Sequence, residues 1–137
     1  MSNELCTEDA RTIIQKINGI SETEEKIILS LYAFDLKRTS PKTISEAVKI
    51  SQKDVIRHCK NLCSSGLALF PQMRTVSLTP NGIVAGELLL IRLNAVKQLL
   101  SKIDGEKHTE EQSQRIAHAI PVSTAINLAD YLNNMPL

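Results

Sequence analysis

Between Ser51 and Ser64, the residues Lys53, Arg57, Lys60 and Ser64 recur at spacings of four, three and four. That spacing puts them on one face of a helix. Val55, Cys59, Leu62 and Cys63 fall on the opposite face. A helix that is cationic and hydrogen-bonding outward and apolar inward meets both demands on the second helix of a helix-turn-helix pair. Ser51 caps it, and Gln52 and Lys53 fall in its first turn, where base edges are reached; Gln pairs with adenine, and Lys or Arg with guanine. Lys42, Thr43, Lys49 and Lys60 suit phosphates, which position a protein without specifying sequence. Arg74, at a turn further on, can reach the neighbouring backbone or minor groove. The candidate DNA-contacting set is therefore Lys42, Thr43, Ser51, Gln52, Lys53, Arg57, Lys60 and Arg74, and the expected partner is double-stranded DNA.

Charge along the chain agrees with this placement. Residues 36–75 hold eight Lys/Arg and two Asp/Glu, net +6, whereas residues 1–35 are net −4 and residues 76–137 net −1. The whole chain is only +1, so the distribution, not the total, marks a phosphate-facing surface.

The elements that must position these side chains begin with helix-start signals. Thr7, Glu8 and Asp9 precede Ala10, Ile13, Ile14 and Ile17 at helical spacing, and Gly19 ends that segment. Ser21-x-x-Glu24 is a capping box for a second helix with Ile27, Ile28, Leu31 and Tyr32 on its apolar face. A loop from Asp35 to Lys42 follows. Thr43-x-x-Glu46 predicts a short helix with Ile44, Ala47 and Val48 inward, and Ser51 caps the next, which stops at Gly66. The period then changes: Leu67–Phe70 and Thr75–Leu78 read as two strands around a Pro71–Arg74 turn. Thr79, with Pro80 at the first position, starts a long helix to about Ile103. Shorter helices are predicted from Thr109 to about Ile120, with a Thr109-x-x-Gln112 box, and from Ser123 to about Leu132.

The expected fold is mainly α: a winged helix-turn-helix with a two-stranded wing and a C-terminal helical region. The long helix is apolar on two stripes. One holds Val84, Leu88, Ile91, Ala95 and Leu99, and the other Leu90, Leu93, Val96, Leu100 and Ile103. A helix apolar on two sides must be covered twice, and a second copy is the expected cover, through Leu90, Leu93, Val96 and Leu100. The expected organisation is residues 1–20 as an N-terminal helical extension, 21–79 as the DNA-binding domain and 80–137 as the dimerisation region.

With 137 residues, 42% of them hydrophobic, and a mean hydropathy of −0.08, the chain can bury a core without a staple. It holds no run of about 20 apolar residues. The acidic, polar start MSNELCTEDA is not a signal peptide, and a cytoplasmic location is expected. Cys6, Cys59 and Cys63 are odd in number and include no metal-type C-x-x-C; Cys59 and Cys63 read as buried thiols, with a redox switch as the lesser alternative. No Gly-rich phosphate loop, H-E-x-x-H or nucleophile motif is present, so no enzyme is expected.

From Ser21 to about Leu132 the chain resembles the DtxR/MntR-type metal-dependent transcriptional repressors. The resemblance rests on Leu31-Tyr32, Ile44-Ser45-Glu46-Ala47, Lys53-Asp54-Val55, Leu62-x-x-x-Gly66-Leu67, Leu78-Thr79-Pro80-Asn81-Gly82, Leu99-Leu100 and Arg115-Ile116-Ala117-His118-Ala119. It implies a repressor acting as a homodimer with contacts in the C-terminal helices. The family's manganese or iron ligands do not carry over: the matching positions fall near Lys26 and Leu29, at Leu93, and in Gln114-Arg115-Ile116-Ala117-His118, where only His118 is a ligand type. No metal and no cofactor are therefore expected, and His118, His58 and His108 read as structural. Control is expected to be absent, or to come from a small-molecule effector of unknown identity or from thiol oxidation. Two other readings stay open: a winged helix that binds another protein, and a metal-responsive repressor with relocated ligands such as His118 and Cys6.

Overall fold

The computed structural model describes residues 9–34 and 38–135; Cys6, Thr7 and Lys37 lie outside them. The elements are α1 (Ala10–Asn18), α2 (Glu22–Ala33), α3 (Pro41–Val48), α4 (Gln52–Ser64), β1 (Ala68–Leu69), a 3-10 turn (Pro71–Met73), β2 (Ser77–Leu78), α5 (Pro80–Asp104), α6 (Glu110–His118) and α7 (Val122–Asn133). β1 and β2 pair antiparallel, with Ala68 opposite Leu78 and Leu69 opposite Ser77. This is a mainly helical winged helix-turn-helix with a small two-stranded wing.

The chain divides into two compact units, residues 1–87 and 88–137. The division falls inside α5, and α1 packs with the winged-helix elements. The first unit's core is built from Ile13 and Ile17 of α1, Ile27, Ile28 and Leu31 of α2, Ile44 of α3, Val55, Cys59 and Leu62 of α4, and Leu67 and Val76 of the wing, all fully buried.

Local chemistry explains most boundaries. Glu24 N–H donates to Ser21 Oγ at 3.1 Å and Ser21 N–H to Glu24 Oε1 at 3.3 Å, which closes the capping box of α2. Asp54 N–H donates to Ser51 Oγ at 3.1 Å at the head of α4. The expected start of α3 at Thr43 is corrected: Ser40 is its cap, accepting from Thr43 N–H at 3.2 Å, and Pro41 occupies the first position. Proline has no N–H to leave unpaired, so the helix opens three residues early. Lys42 and Thr43 thereby join its first turn. Ile44 is the buried residue of α3 and Ala47 is exposed, because so short a helix covers its core with little more than one turn.

α4 ends in a Schellman motif. Gly66 has φ +78°, its N–H donates to Cys63 O, and Leu67 N–H donates to Leu62 O, both at 3.0 Å; this satisfies the last carbonyls of the helix. The strands are shorter than expected because the 3-10 turn takes over at Pro71. Thr39 instead forms an isolated bridge with Val76, just before β2, with N–H···O distances of 2.9 and 2.8 Å. Among the described residues, three non-glycines adopt left-handed φ: Lys49 at 65°, Gln72 at 55° and Met73 at 55°. Each costs roughly 1–2 kcal/mol.

Thr79 heads α5, accepting from Gly82 N–H at 3.0 Å and donating through Oγ1 to Gly66 O at 2.6 Å. A Cβ on Gly82 would lie 1.9 Å from Leu67 O, which is backbone and cannot swing aside. Gly82→Ala is therefore expected to lower stability by at least the roughly 1–3 kcal/mol typical of overpacking, measured by urea denaturation. A change within about 0.5 kcal/mol, the range of ordinary surface substitutions, would contradict this packing.

Candidate nucleic-acid interface

The first unit places the expected contact residues on its surface. Ser51, Gln52, Lys53, Arg57, Lys60 and Ser64 of α4 are all exposed, as are Lys42 and Thr43 of α3 and Arg74 beside the wing turn. α3 and α4 pack on each other, and α4 packs on β1. The helix-turn-helix pair and the wing therefore form one rigid platform under these side chains. Lys49, at the end of α3, turns the chain towards α4 and is exposed too.

These cations are available to a partner. Arg57 Nη2 lies 3.3 Å from Asp54 Oδ1, but the side chains are 62% and 49% exposed. Such a pair is worth about 0–1 kcal/mol and yields readily to a phosphate. Ser51 uses its Oγ as an acceptor for the cap, and its hydroxyl proton can still donate outward. Thr43 Oγ1 lies 3.0 Å from Ser40 Oγ.

Sequence reasoning missed what holds α4 from the side. Glu24 Oε2 lies 2.9 Å from His58 Nδ1 and accepts from Asn61 Nδ2 at 3.1 Å. The capping box pointed to one oxygen of Glu24; the other reaches α4. His58 and Asn61 lie on the flank of α4, between its buried and cationic faces, so the contact resists rotation of α4 about its axis. Burial pushes the Glu24 carboxyl up, but the hydrogen bonds from His58, Asn61 and the Ser21 N–H, with the charge on His58, leave it below its ordinary value of 4.5. A carboxylate held lower in the folded state stabilises the fold above its unfolded value, and that stability is lost as pH falls through the lowered value. Glu24→Gln should cost about 1–3 kcal/mol near neutral pH and flatten the loss of stability below pH 4.5. Urea midpoints measured between neutral pH and about pH 3 check this; an unchanged acid limb would refute it.

Burial raises the Cys59 thiol to about 12, with the neighbouring Cys63 adding to the rise, and burial raises Cys63 as well. Both are protonated at neutral pH and poor nucleophiles, which argues against the thiol switch.

The second unit has its own core of Leu89, Leu93, Val96, Leu100, Ala117, Val122, Ala125 and Leu132. Leu93, Val96 and Leu100 are at most 9% exposed within this chain, whereas Leu90 is 36% exposed. Three of the four residues expected to face a second copy are thus already covered by their own chain. Arg92, which the apolar stripes hid, is 1% exposed and donates from Nη1 to Ile120 O at 2.9 Å. Among the described residues, Ile91, Ile103, Ile116, Tyr131 and Met135 are the other large apolar side chains left exposed in this unit. A cleft of about 280 Å³ is lined by Lys97, Ser101, Glu106, His108, Glu110 and Ser113, among others. His108 Nε2 lies 2.9 Å from Asp104 Oδ2.

Among the described residues, no three His, Cys, Asp or Glu side chains lie close enough to hold a metal ion. An ammonium at Lys26 and leucines at 29 and 93 offer nothing to a hard divalent cation, which wants several oxygen ligands. The residues present do not fit the metal that the sequence resemblance implies, and among the matching positions only His118 is of a ligand type. No helix among the described residues is long and apolar enough to cross a membrane.

No family model matches the chain, and no curated protein matches it. Among solved structures, it is similar to the crystal structure of T. acidophilum IdeR, with a TM-score of 0.63 and 19% identity over 83% of this chain and 54% of that one. The chain thus spans about half the length of that structure. The likeness establishes a shared fold and nothing finer.

Proposed function

We propose that the chain is a DNA-binding transcriptional regulator, a repressor acting as a homodimer and not governed by a DtxR-type manganese or iron site. The observation that carries this reading is the outward face of α4: Gln52, Lys53, Arg57 and Lys60 are exposed together on a helix whose other face buries Val55, Cys59 and Leu62, with Cys63 half-buried. Gln52 and Lys53 read base edges in the major groove. Lys42, Thr43, Lys49 and Lys60 hold phosphates and set the register, and Arg74 reaches the neighbouring backbone or minor groove. The likeness to IdeR supports the same reading through the fold.

Residues 80–137 carry the dimer contacts in this reading. Leu90 is the member of the expected set left free to meet a second copy, and its exposed neighbour Ile91 extends that surface. In this reading a small-molecule effector, where one acts, would sit in the polar cleft beside Lys97.

Lys53→Glu with Arg57→Glu tests the reading. Both side chains are exposed, so the fold is expected to survive, with circular dichroism unchanged. Affinity for a duplex recovered from genomic fragments is expected to fall at least about a hundredfold, since two phosphate or base contacts become repulsive. Retained affinity in the double variant would defeat the assignment of α4 as the reading helix.

A further inference from the structure

The cationic face of α4 is turned outward, and the opposite face buries Val55, Cys59 and Leu62. Hydrophobic burial is non-directional, so that face alone does not set the rotation of the helix finely. Hydrogen bonds are directional, and two of them tie the flank of α4 to Glu24. His58 Nδ1 lies 2.9 Å from Glu24 Oε2, and Asn61 Nδ2 donates to the same oxygen at 3.1 Å. An ionised carboxylate only accepts, so His58 Nδ1 carries the proton. The other oxygen of Glu24 accepts from the Ser21 N–H at 3.3 Å, which pins the carboxylate to the backbone at the head of α2. The rotation of α4 is thus referred to α2. The His58 and Glu24 side chains are only 12% and 11% exposed, so the pair is not a surface for a partner.

We propose that Glu24 is a positioning residue for base reading: through His58 and Asn61 it sets the rotation of α4, and with it the sequence selectivity of the first turn, Gln52 above all, while leaving affinity for phosphates untouched. This rests on the DNA reading above. Magnitudes separate the two effects. Side-chain tips stand about 5–6 Å from a helix axis, so a rotation of about 20° carries them by about 2 Å. A hydrogen bond holds over a range of only about half an ångström, so such a rotation ends a two-bond contact between the Gln52 amide and a base edge. A lysine ammonium on its flexible stem can follow a phosphate over the same distance. Loosening α4 at Glu24 therefore removes base contacts and spares phosphate contacts.

The experiment uses the full chain and two duplexes, one selected from genomic fragments and one of the same composition in scrambled order, at a temperature where circular dichroism shows each variant folded. Glu24→Ala removes the contact with α4 together with half of the α2 capping box. Ser21→Ala removes the other half of that box and leaves the contact with α4. Both are expected to lower the thermal midpoint. Glu24→Ala is expected to lose about tenfold in the ratio of selected to scrambled affinity, as for one good base contact, with scrambled affinity level or higher and the salt slope unchanged. Ser21→Ala is expected to keep the wild-type ratio. From the α4 side, His58→Leu should lower the ratio, and His58→Asn, which puts an amide N–H where Nδ1 stands, should keep it. An unchanged ratio in Glu24→Ala would overturn the proposal, as would equal losses in Glu24→Ala and Ser21→Ala, which mark a structural role alone. Should Glu24→Ala not fold, the two His58 variants decide, and equal ratios in them would overturn it. A wild type that binds both duplexes alike, or neither, would overturn the DNA reading itself.

Discussion

Three consecutive carbonyls, those of Ser65, Gly66 and Leu67, hold the first unit together. Lys16 of α1 donates from Nζ to Ser65 O at 2.7 Å. Thr79 donates from Oγ1 to Gly66 O at 2.6 Å and from its N–H to Leu67 O at 3.1 Å. Gly82 lets the first turn of α5 lie against that last carbonyl. A helix end normally leaves carbonyls unsatisfied; here they become the point where α1, α4, the wing and α5 meet. The left-handed turn at Gly66 makes this possible by presenting the three groups in different directions. α4 is therefore fixed at its C-terminal end by three elements and from the side by Glu24, while its N-terminal turn, with Gln52 and Lys53, projects outward.

This division of labour explains the charge distribution. Among the described residues, the basic side chains of the central segment are exposed on α3, on α4, beside the wing and, for Arg38, in the loop before α3, where they cost the fold little. The charged groups that do structural work are few and placed elsewhere: Glu24 against His58 and Asn61, Lys16 against a helix end, and Arg92 against the Ile120 carbonyl. A surface freed from folding duties can be selected for its partner.

Much of this was legible in the sequence. The boxes at Ser21 and Thr109, the Ser51 cap and the Gly66 stop are local hydrogen-bond chemistry and appear as written. The Leu78–Gly82 motif signalled a helix start, and its glycine is explained by the approach of Leu67 O. What was hidden is long-range. Pro41 could open a helix or end a loop, and the bridge from Thr39 to Val76 helps place it. Glu24 served its own cap in the sequence, and only folding brings His58, 34 residues on, to its second oxygen. The stripe of Leu93, Val96 and Leu100 shows that something must cover it, but periodicity cannot tell whether that cover comes from the same chain or from a second copy. The interface residues lie on exposed faces of the expected helices, yet exposure alone does not identify a partner.

The central claim is that six cations of this surface, Lys42, Lys49, Lys53, Arg57, Lys60 and Arg74, meet the phosphates and bases of a duplex. Its most direct test is the affinity of the wild-type protein for its best genomic fragment across salt from about 50 to 200 mM, where as few as six phosphate contacts in total would cost roughly a thousandfold. A steep linear fall of log affinity with log salt, with selective binding surviving in chelator, is the predicted result. Binding that is absent, or indifferent to salt, would contradict the account and leave the winged helix to a protein partner.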